Sequence, residues 1–263
     1  MPGGVAALLG APVVEHTGAG ACRVFSGGGL VAKVGPPDVI AREAALLRTP
    51  LPLPVPALVD QGPGWLVTAA EGDDDGPWSD DDLHAALADL ARLHDSFESA
   101  VPDGLAGVLR SPFSPAGIDL LLKPVRRLAF PLPLRLERLL ADPRHLLEAA
   151  AALPVTVLHG DPWPGNVLRP AGGRRVWIDW EMASAGPAAA DVATWLNQAA
   201  AHPGVAPAAL AAQGEAVEIY LSYRSRPVDR AAFGRALAAS TTLWYLAFDV
   251  PHLAAGSGEA RSS

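Results

Sequence analysis

The sequence contains a single cysteine and comparatively few basic residues. One cysteine, Cys22, can form no intramolecular disulfide, and it excludes a zinc site built from several cysteines. Lysine and arginine together number 20, against 28 aspartates and glutamates, and the formal net charge is −8. Because nucleic-acid backbones are bound by clustered positive charge, we expect no nucleic acid among the main partners.

Long hydrophobic runs are also missing. No apolar run approaches the roughly 20 residues that cross a bilayer. Residues 1–4 lack the basic segment that begins a signal peptide. We therefore expect a cytoplasmic protein with no membrane partner. Half of the residues are hydrophobic, which is enough for the core of one large domain or of two small lobes.

Short apolar runs broken by glycine occupy the first seventy residues and indicate a β-rich unit. The turn Gly27-Gly28-Gly29 between two such runs is typical of a hairpin. Asp38, after two prolines, is expected to cap the helix that follows. The expected elements are strands over 23–26, 30–34, 57–59 and 65–68 and a helix over about 39–48.

Helical periodicity dominates the rest of the chain. Three aspartates at 80–82 begin a helix, since the helix dipole favours negative charge at its N-terminus. Its apolar stripe is expected to consist of Leu83, Leu87, Leu90 and His94. Between 155 and 179 the pattern changes to two or three short strands. We therefore expect a β-rich lobe over 1–70 and a helical lobe over 71–263 with an embedded hairpin.

One segment carries the most informative chemistry: His159-Gly160-Asp161 is followed by Asn166 and then by Asp179. A hairpin with its tip at Gly172-Gly173 would bring Asn166 and Asp179 to the same end. Carboxylate and amide oxygens, without a supporting cysteine, suit Mg²⁺ better than zinc. Asp161 would lie beside that metal, free to accept a proton from an incoming hydroxyl group.

The pattern His159-Gly160-Asp161-x-x-x-x-Asn166, followed by Ile178-Asp179-Trp180-Glu181, is similar to the aminoglycoside phosphotransferase and choline kinase family. The resemblance extends to Gly186 and Asp191 and, in layout, over most of the chain. It implies an α+β, bilobal, protein-kinase-like fold with ATP and Mg²⁺ as cofactors. It also implies that Asp161 is the catalytic base, that Asn166 and Asp179 bind Mg²⁺, and that Asp191 braces the catalytic loop.

Two residues of the β-rich lobe fit the same interpretation. Lys33, one of two lysines in a chain that otherwise uses arginine, follows the glycine turn where a kinase-like fold carries its phosphate-binding lysine. Glu43 lies on the apolar face of the next predicted helix, where a carboxylate is costly to bury without a partner. We expect the two to pair and to position the phosphates of ATP. Taken alone, Lys33 could equally belong to an exposed strand edge, and Glu43 could be solvated.

Two backbone segments are candidates for further nucleotide contacts. Gly18 and Gly20 lie in a loop between two predicted strands, and the amides of this loop are expected to face the phosphates, although many such loops are only turns. By the resemblance, the backbone around Ala69 and Ala70 is expected to form hydrogen bonds with the adenine.

The acceptor is the least defined part of the prediction. We expect transfer of the γ-phosphoryl group of ATP to a hydroxyl group of a small molecule, with an aminoglycoside-type antibiotic favoured. A metabolite kinase for choline, homoserine or a sugar is the alternative, and a nucleotide-binding pseudokinase that serves as an interaction module is a third. The acidic stretch at 73–82 could bind a cationic substrate, although the helix dipole explains its last three aspartates more simply.

Overall fold

The computed structural model describes residues 2–16, 21–72, 76–127, 134–170, 174–200, 202–205 and 213–251. Three predicted features lie outside these residues: the loop with Gly18 and Gly20, the hairpin tip at Gly172-Gly173, and residues 73–75 of the acidic stretch. The described residues combine a five-stranded antiparallel sheet and two two-stranded sheets with many helices, which is the α+β class predicted from the sequence.

Five strands near the N-terminus are β1 (Val14–His16), β2 (Arg23–Gly27), β3 (Leu30–Val34), β4 (Leu58–Gly62) and β5 (Trp65–Ala69). They form one antiparallel sheet in the order β1-β2-β3-β5-β4. The predicted hairpin of β2 and β3 turns through Gly28 and Gly29, whose φ angles of 57° and 75° favour glycine. Lys33 lies between Val24 and Leu66 of the neighbouring strands, which excludes the alternative of an exposed strand edge.

The helix after β3 is α2 (Pro37–Arg48), and its start differs from the prediction. The expectation that Asp38 caps this helix is wrong, because Pro36 occupies the cap position and no side chain forms a cap bond. Pro37 is the first helical residue, since its ring already fixes φ near the helical value. Asp38 lies in the first turn instead, where its charge interacts favourably with the helix dipole.

A short N-terminal helix, α1 (Gly3–Leu9), is missing from the predicted elements. Val5 and Leu9 are fully buried and pack against apolar side chains of β2, β3 and β5. Seven residues that begin with two glycines carry little helical signal. Packing against the sheet therefore stabilises this helix, rather than intrinsic propensity.

Helices make up most of the remaining described chain. They are α3 (Asp80–Phe97), α4 (Asp103–Ala106), α5 (Pro115–Arg126), α6 (Leu134–Ala141), α7 (Arg144–Ala151), α8 (Ala189–Ala199), α9 (Gln213–Tyr223) and α10 (Arg230–Trp244), which a π-helical turn extends over Tyr245–Asp249. Within the described ranges, no helix combines the length and the apolar character that a membrane crossing requires.

Helix α3 begins at the three aspartates, as predicted, and its predicted apolar stripe is buried. Ser79 and Asp82 form a capping box, in which each side chain accepts a hydrogen bond from the other residue's backbone amide. Asp82 also forms an ion pair with Arg169 at 2.9 Å. Asp82, the last aspartate of the acidic stretch, therefore has a structural role: it caps α3 and pairs with Arg169.

Four short strands hold the predicted catalytic segment: β6 (Val155–Leu158), β7 (Val167–Leu168), β8 (Val176–Trp177) and β9 (Ser184–Pro187). Strand β7 pairs with β8, and β6 pairs with β9, both antiparallel. The sequence did not predict β9, because Ser-Ala-Gly-Pro contains residues of low strand propensity. Pairing with β6 determines its conformation instead.

The largest apolar core packs α3, α8 and α9 against these short strands. It contains Trp177, Trp180 and Trp195, none of which is more than 2% exposed. A second core joins α5, α7 and α10. The strands that carry the candidate site are therefore anchored to the most extensively buried part of the molecule.

Candidate active site

The hairpin of β7 and β8 brings the two predicted metal ligands to one end. Asn166 immediately precedes β7, and Asp179 is the second residue after the end of β8. The backbone amide of Ile178 donates to the carbonyl oxygen of Asn166 at 3.0 Å, which continues the hairpin towards these residues. The predicted convergence of Asn166 and Asp179 is therefore present in the structure.

Both carboxylate oxygens of Asp161 accept hydrogen bonds from side-chain amides. Asn166 Nδ2 donates to Asp161 Oδ2 at 3.1 Å and also to the Asp161 carbonyl oxygen at 2.9 Å. Gln198 Nε2 donates to Asp161 Oδ1 at 2.6 Å. Two donors on separate segments thus fix the orientation of this carboxylate, which points to a positioned base.

Gln198 is a site residue that the sequence reasoning missed. It lies near the end of α8, on the same helical face as Asp191 and Thr194, at spacings of three and seven residues from Asp191. Because Asp191 was already expected to contact the catalytic loop, this spacing was a usable signal. A polar side chain two turns further along the same face reaches the same loop.

Asp191 braces the loop that carries Asp161. Its carboxylate is 1% exposed and accepts hydrogen bonds from the backbone amides of His159 at 2.7 Å and Gly160 at 3.0 Å. His94 Nε2 lies 3.2 Å from the same carboxylate. Gly160 has a φ of 87°, and a Cβ at this position would clash with the carbonyl oxygen of Met182. The expected bracing contact of Asp191 is therefore present. The loop conformation that permits this contact requires glycine at position 160.

His159 is a packed residue rather than a proton carrier. Its ring is fully buried against Trp177 and Trp180, with centroid distances of 5.4 and 4.4 Å. Burial disfavours the charged imidazolium and lowers the pKa of His159 below its usual value. The neutral ring contacts the carbonyl oxygen of Ile178 through Nε2 at 3.0 Å, so it joins the catalytic loop to the β8 end of the hairpin.

Lys33 and Glu43 form the buried pair expected from the sequence. Lys33 Nζ lies 3.0 and 2.9 Å from the two carboxylate oxygens of Glu43 and 2.6 Å from Asp179 Oδ1. Burial works against the charge of Lys33, but the two carboxylates outweigh it and hold the lysine pKa above its ordinary value. The ammonium group therefore stays protonated and connects the sheet, α2 and the end of β8.

The backbone around Asp179 is held in an uncommon conformation. Asp179 has φ 61° and ψ 65°, the left-handed region that non-glycine residues seldom adopt. The following residues form one helical turn, Trp180–Met182, which α2 holds by two hydrogen bonds. Trp180 N donates to Glu43 Oε1 at 3.4 Å, and Arg42 Nη1 donates to the Glu181 carbonyl oxygen at 2.6 Å. Such strain persists where surrounding contacts require it, which is common at functional sites.

The backbone at Ala69 and Ala70, called the hinge below, differs from the simplest expectation for adenine binding. The amide of Ala69 donates to the carbonyl oxygen of Ala57, and the amide of Ala70 donates to that of Gly29, both at 2.9 Å. In this conformation these two amides already have acceptors within the protein. Contact of Ala69 and Ala70 with adenine stays a prediction, and it would require other backbone atoms or an exchange of these bonds.

The residues at the hairpin end suit a metal ion that is shared with phosphate groups. Among the described residues, no group of three or more His, Cys, Asp or Glu side chains is placed to hold a metal. Asp179 supplies one carboxylate, and Asn166, whose Nδ2 is turned towards Asp161, has its amide oxygen left as a potential ligand. Mg²⁺ commonly takes one or two such protein oxygens and completes its shell with phosphates and water. The donor set therefore fits Mg²⁺ bound together with a nucleotide.

Comparison with known proteins gives a consistent result. The model of the phosphotransferase enzyme family matches residues 23–226. No curated protein sequence matches the chain. The family match covers strands β2 to β5 of the sheet, the segment at Ala69 and Ala70, and every predicted site residue except Gly18 and Gly20.

Several solved structures share the fold. The macrolide 2′-phosphotransferase MphH from Brachybacterium faecium is 20% identical, with 98% of this chain and 96% of that chain covered and a TM-score of 0.60. The complex of APH(2″)-IIa with streptomycin and ATP is 17% identical, with 96% and 91% covered and a TM-score of 0.63. A choline/ethanolamine kinase family protein from Mesorhizobium loti is 22% identical, with 90% and 79% covered and a TM-score of 0.59. At such identities the likeness establishes the protein-kinase-like fold and leaves the substrate open.

Proposed function

The chain belongs to the phosphotransferase enzyme family, and we propose that it transfers the γ-phosphoryl group of ATP to a hydroxyl group of a small molecule. The observation that carries the proposal is Asp161, whose two carboxylate oxygens are held by Asn166 and Gln198 on a loop that Asp191 braces. Phosphoryl transfer depends mainly on positioning and charge stabilisation, which is what this arrangement supplies.

Asp161 acts as the base at the acceptor. The hydroxyl group of the acceptor donates to the Asp161 carboxylate, loses its proton to it and attacks the γ-phosphorus in line with the departing ADP. The amide donors of Asn166 and Gln198 keep the carboxylate from rotating, so the acceptor meets it in one orientation. His159 takes no proton in this scheme, because it is buried and neutral.

Lys33 binds the phosphates of ATP, and Glu43 holds Lys33 in position. In the structure, Lys33 contacts both Glu43 and Asp179. When nucleotide binds, Lys33 keeps its ion pair with Glu43 and contacts the α- and β-phosphates. Asp179 and Asn166 would hold Mg²⁺, which neutralises developing charge on the β- and γ-phosphates. Gly18, Gly20 and the hinge backbone at Ala69 and Ala70 are proposed to complete the nucleotide site.

Two classes of acceptor follow from the sequence and the structural relatives. An aminoglycoside-type antibiotic was favoured by the sequence, and one structural relative holds streptomycin together with ATP. A metabolite alcohol is the second class, since a choline/ethanolamine kinase family protein shares the fold. Both classes use the same base and phosphate contacts, so the choice between them depends on the surface that receives the acceptor.

The first test is acceptor-dependent release of ADP. Purified protein with Mg²⁺ and ATP should release ADP in the presence of its acceptor, measured by a coupled assay over aminoglycosides, choline, homoserine, sugars and apolar alcohols. The product should be a phosphomonoester, identified by ³¹P NMR. Binding of ATP without any acceptor-dependent release across this panel would instead favour the nucleotide-binding pseudokinase.

A second prediction concerns the metal. ATP should bind tightly only with Mg²⁺ or Mn²⁺, and EDTA should weaken binding about tenfold or more, because the phosphate charge then faces Asp179 without a cation. Calorimetry on Asp179→Ala should show that the metal-dependent part of the affinity is lost. Asp60→Ala, which alters an exposed aspartate of β4, is the matched control and should behave as the wild type. Equal affinities with and without EDTA in all three proteins would remove the metal site from the proposal.

A further inference from the structure

A large cavity adjoins the catalytic loop. Its volume is about 800 Å³, and it lies between α5, the segment Met182–Ser184, α8 and α10 with its π-helical turn. Gly160, the residue immediately before Asp161, forms part of its wall, as do Asp191 and Thr194 of α8. Cavities of 300–1,000 Å³ are typical of sites for drug-sized molecules. The position and the volume both suit the acceptor of the reaction proposed above.

The wall of this cavity is mostly apolar. Its larger side chains are Phe113, Leu121, Met182, Leu243, Trp244 and Phe248. Leu120, Met182 and Phe248 also line the cavity and are 62%, 44% and 39% exposed, so large hydrophobic surfaces stand open here among the residues that the structure describes. Apolar surfaces gathered in a concave site are a common sign of a ligand that covers them.

The charged groups at the cavity are mostly positive. Arg42 and Arg110 line it, Arg110 forms an exposed ion pair with Asp38 at 3.6 Å, and the described lining residues include one carboxylate, that of Asp191. That carboxylate already accepts hydrogen bonds from His159 N and Gly160 N. Arg42 donates to the carbonyl oxygen of Glu181. Because a carbonyl group carries no net charge, this hydrogen bond does not neutralise the guanidinium group. The cavity thus offers cationic groups and apolar contacts, with its one acidic side chain engaged in bracing the catalytic loop.

We propose that the acceptor is an alcohol with an apolar body and no positive charge, whose body fills this cavity while its hydroxyl group reaches Asp161 past Gly160. This inference rests on the proposed function and narrows its substrate class. An anionic group on the acceptor is tolerated, because Arg42 and Arg110 lie at the wall. A polycationic aminoglycoside is disfavoured, since its ammonium groups would lose water beside hydrophobic side chains and would meet the positive charge of Arg42.

The first experiment measures binding to the cavity independently of turnover. The probe is 1-anilinonaphthalene-8-sulfonate, an apolar anion that fluoresces in apolar surroundings. Cyclododecanol and decanol should displace it from the wild-type protein, whereas kanamycin should not. Leu120→Asp should weaken its binding about tenfold or more, because an apolar contact is replaced by a carboxylate that faces a bound anion.

A matched control separates the cavity from the general surface. Leu134 of α6 is 61% exposed, against 62% for Leu120, and it does not line the cavity. Leu134→Asp should therefore bind the probe as the wild type does. Thermal unfolding should give similar midpoints for both variants, since each replaces a leucine that is largely exposed. Equal loss of probe binding in the two variants would overturn the assignment of the cavity.

The second experiment uses the same variants in the ADP-release assay with Mg²⁺ and ATP. Apolar alcohols should support ADP release by the wild type and Leu134→Asp, and much less by Leu120→Asp. If kanamycin is the better acceptor and Leu120→Asp turns it over normally, the inference is overturned while the phosphotransferase function stands. If the alcohols displace the probe but no acceptor supports ADP release, the proposed function fails while the apolar preference of the cavity stands.

Discussion

Replacing Asp161 by asparagine is expected to lower kcat for the acceptor by about 10²–10⁴-fold, the usual contribution of a positioned base. Asparagine has nearly the same shape as aspartate, but it cannot accept the proton of the attacking hydroxyl group. Because Lys33, Glu43 and Asp179 are untouched, the affinity for Mg²⁺ and ATP should remain close to that of the wild type. Steady-state kinetics measures the first effect, and calorimetry with ATP measures the second.

The neighbouring amide of Gln198 provides the control for this substitution. Gln198→Leu removes the donor to Asp161 Oδ1 and keeps the base, so kcat should fall less than in Asp161→Asn. Wild-type turnover by Asp161→Asn on the acceptor would mean that another group takes the proton.

The catalytic loop could be predicted from the sequence because its chemistry is local. Asp161, Asn166 and Asp179 lie within one short stretch; a single hairpin brings Asn166 and Asp179 to one end, and the amide of Asn166 donates to Asp161. The contact of Lys33 with Glu43 was predictable for a different reason. A carboxylate on the apolar face of a helix needs a partner, and a lysine in the preceding strand was available.

Features that depend on the tertiary arrangement were not predictable in the same way. The spacing of Gln198 from Asp191 places both on one face of α8, but the contact of Gln198 with Asp161 also depends on how α8 packs beside the catalytic loop, which the spacing alone does not specify. Strand β9 exists because it pairs with β6, and α1 exists because it covers the sheet. In each case, contacts that are distant in the sequence outweigh weak local propensity.

The side chains that line the apolar cavity also depend on the tertiary arrangement, so the sequence alone did not predict the class of acceptor that would fit it. The family resemblance favoured an aminoglycoside, and the acidic stretch at 73–82 was weighed as a site for a cationic substrate, with the helix dipole as the simpler explanation of its last three aspartates. In the structure Asp82 caps α3 and pairs with Arg169, while hydrophobic side chains, Arg42 and Arg110 line the cavity at Gly160. Net charge describes the whole surface, whereas an acceptor meets only the side chains that the fold gathers at one place.

Lys33→Met is expected to lower both stability and activity. Glu43 is 3% exposed, and the substitution leaves its carboxylate without the ammonium group, which should reduce the free energy of unfolding by about 3–5 kcal/mol. Asp179 is less affected, because its side chain is 36% exposed and can be hydrated. The same substitution removes the proposed contact with the phosphates, so KM for ATP should rise or kcat should fall. Chemical denaturation and steady-state kinetics measure the two effects.

A double-mutant cycle with Glu43→Gln tests whether the two residues act as one unit. The double variant Lys33→Met, Glu43→Gln should lose clearly less stability and less kcat/KM than the sum of the single variants, because neither change then leaves an unpaired charge. Lys33→Arg should also be impaired, since a planar guanidinium group cannot replace a compact ammonium between Glu43 and Asp179. Lys123→Met, at the other lysine of the chain, which is exposed on α5, is the matched control and should change stability by no more than about 0.5 kcal/mol. Additive losses in the cycle would show that Lys33 and Glu43 contribute separately, and Glu43 would then have no role in positioning Lys33.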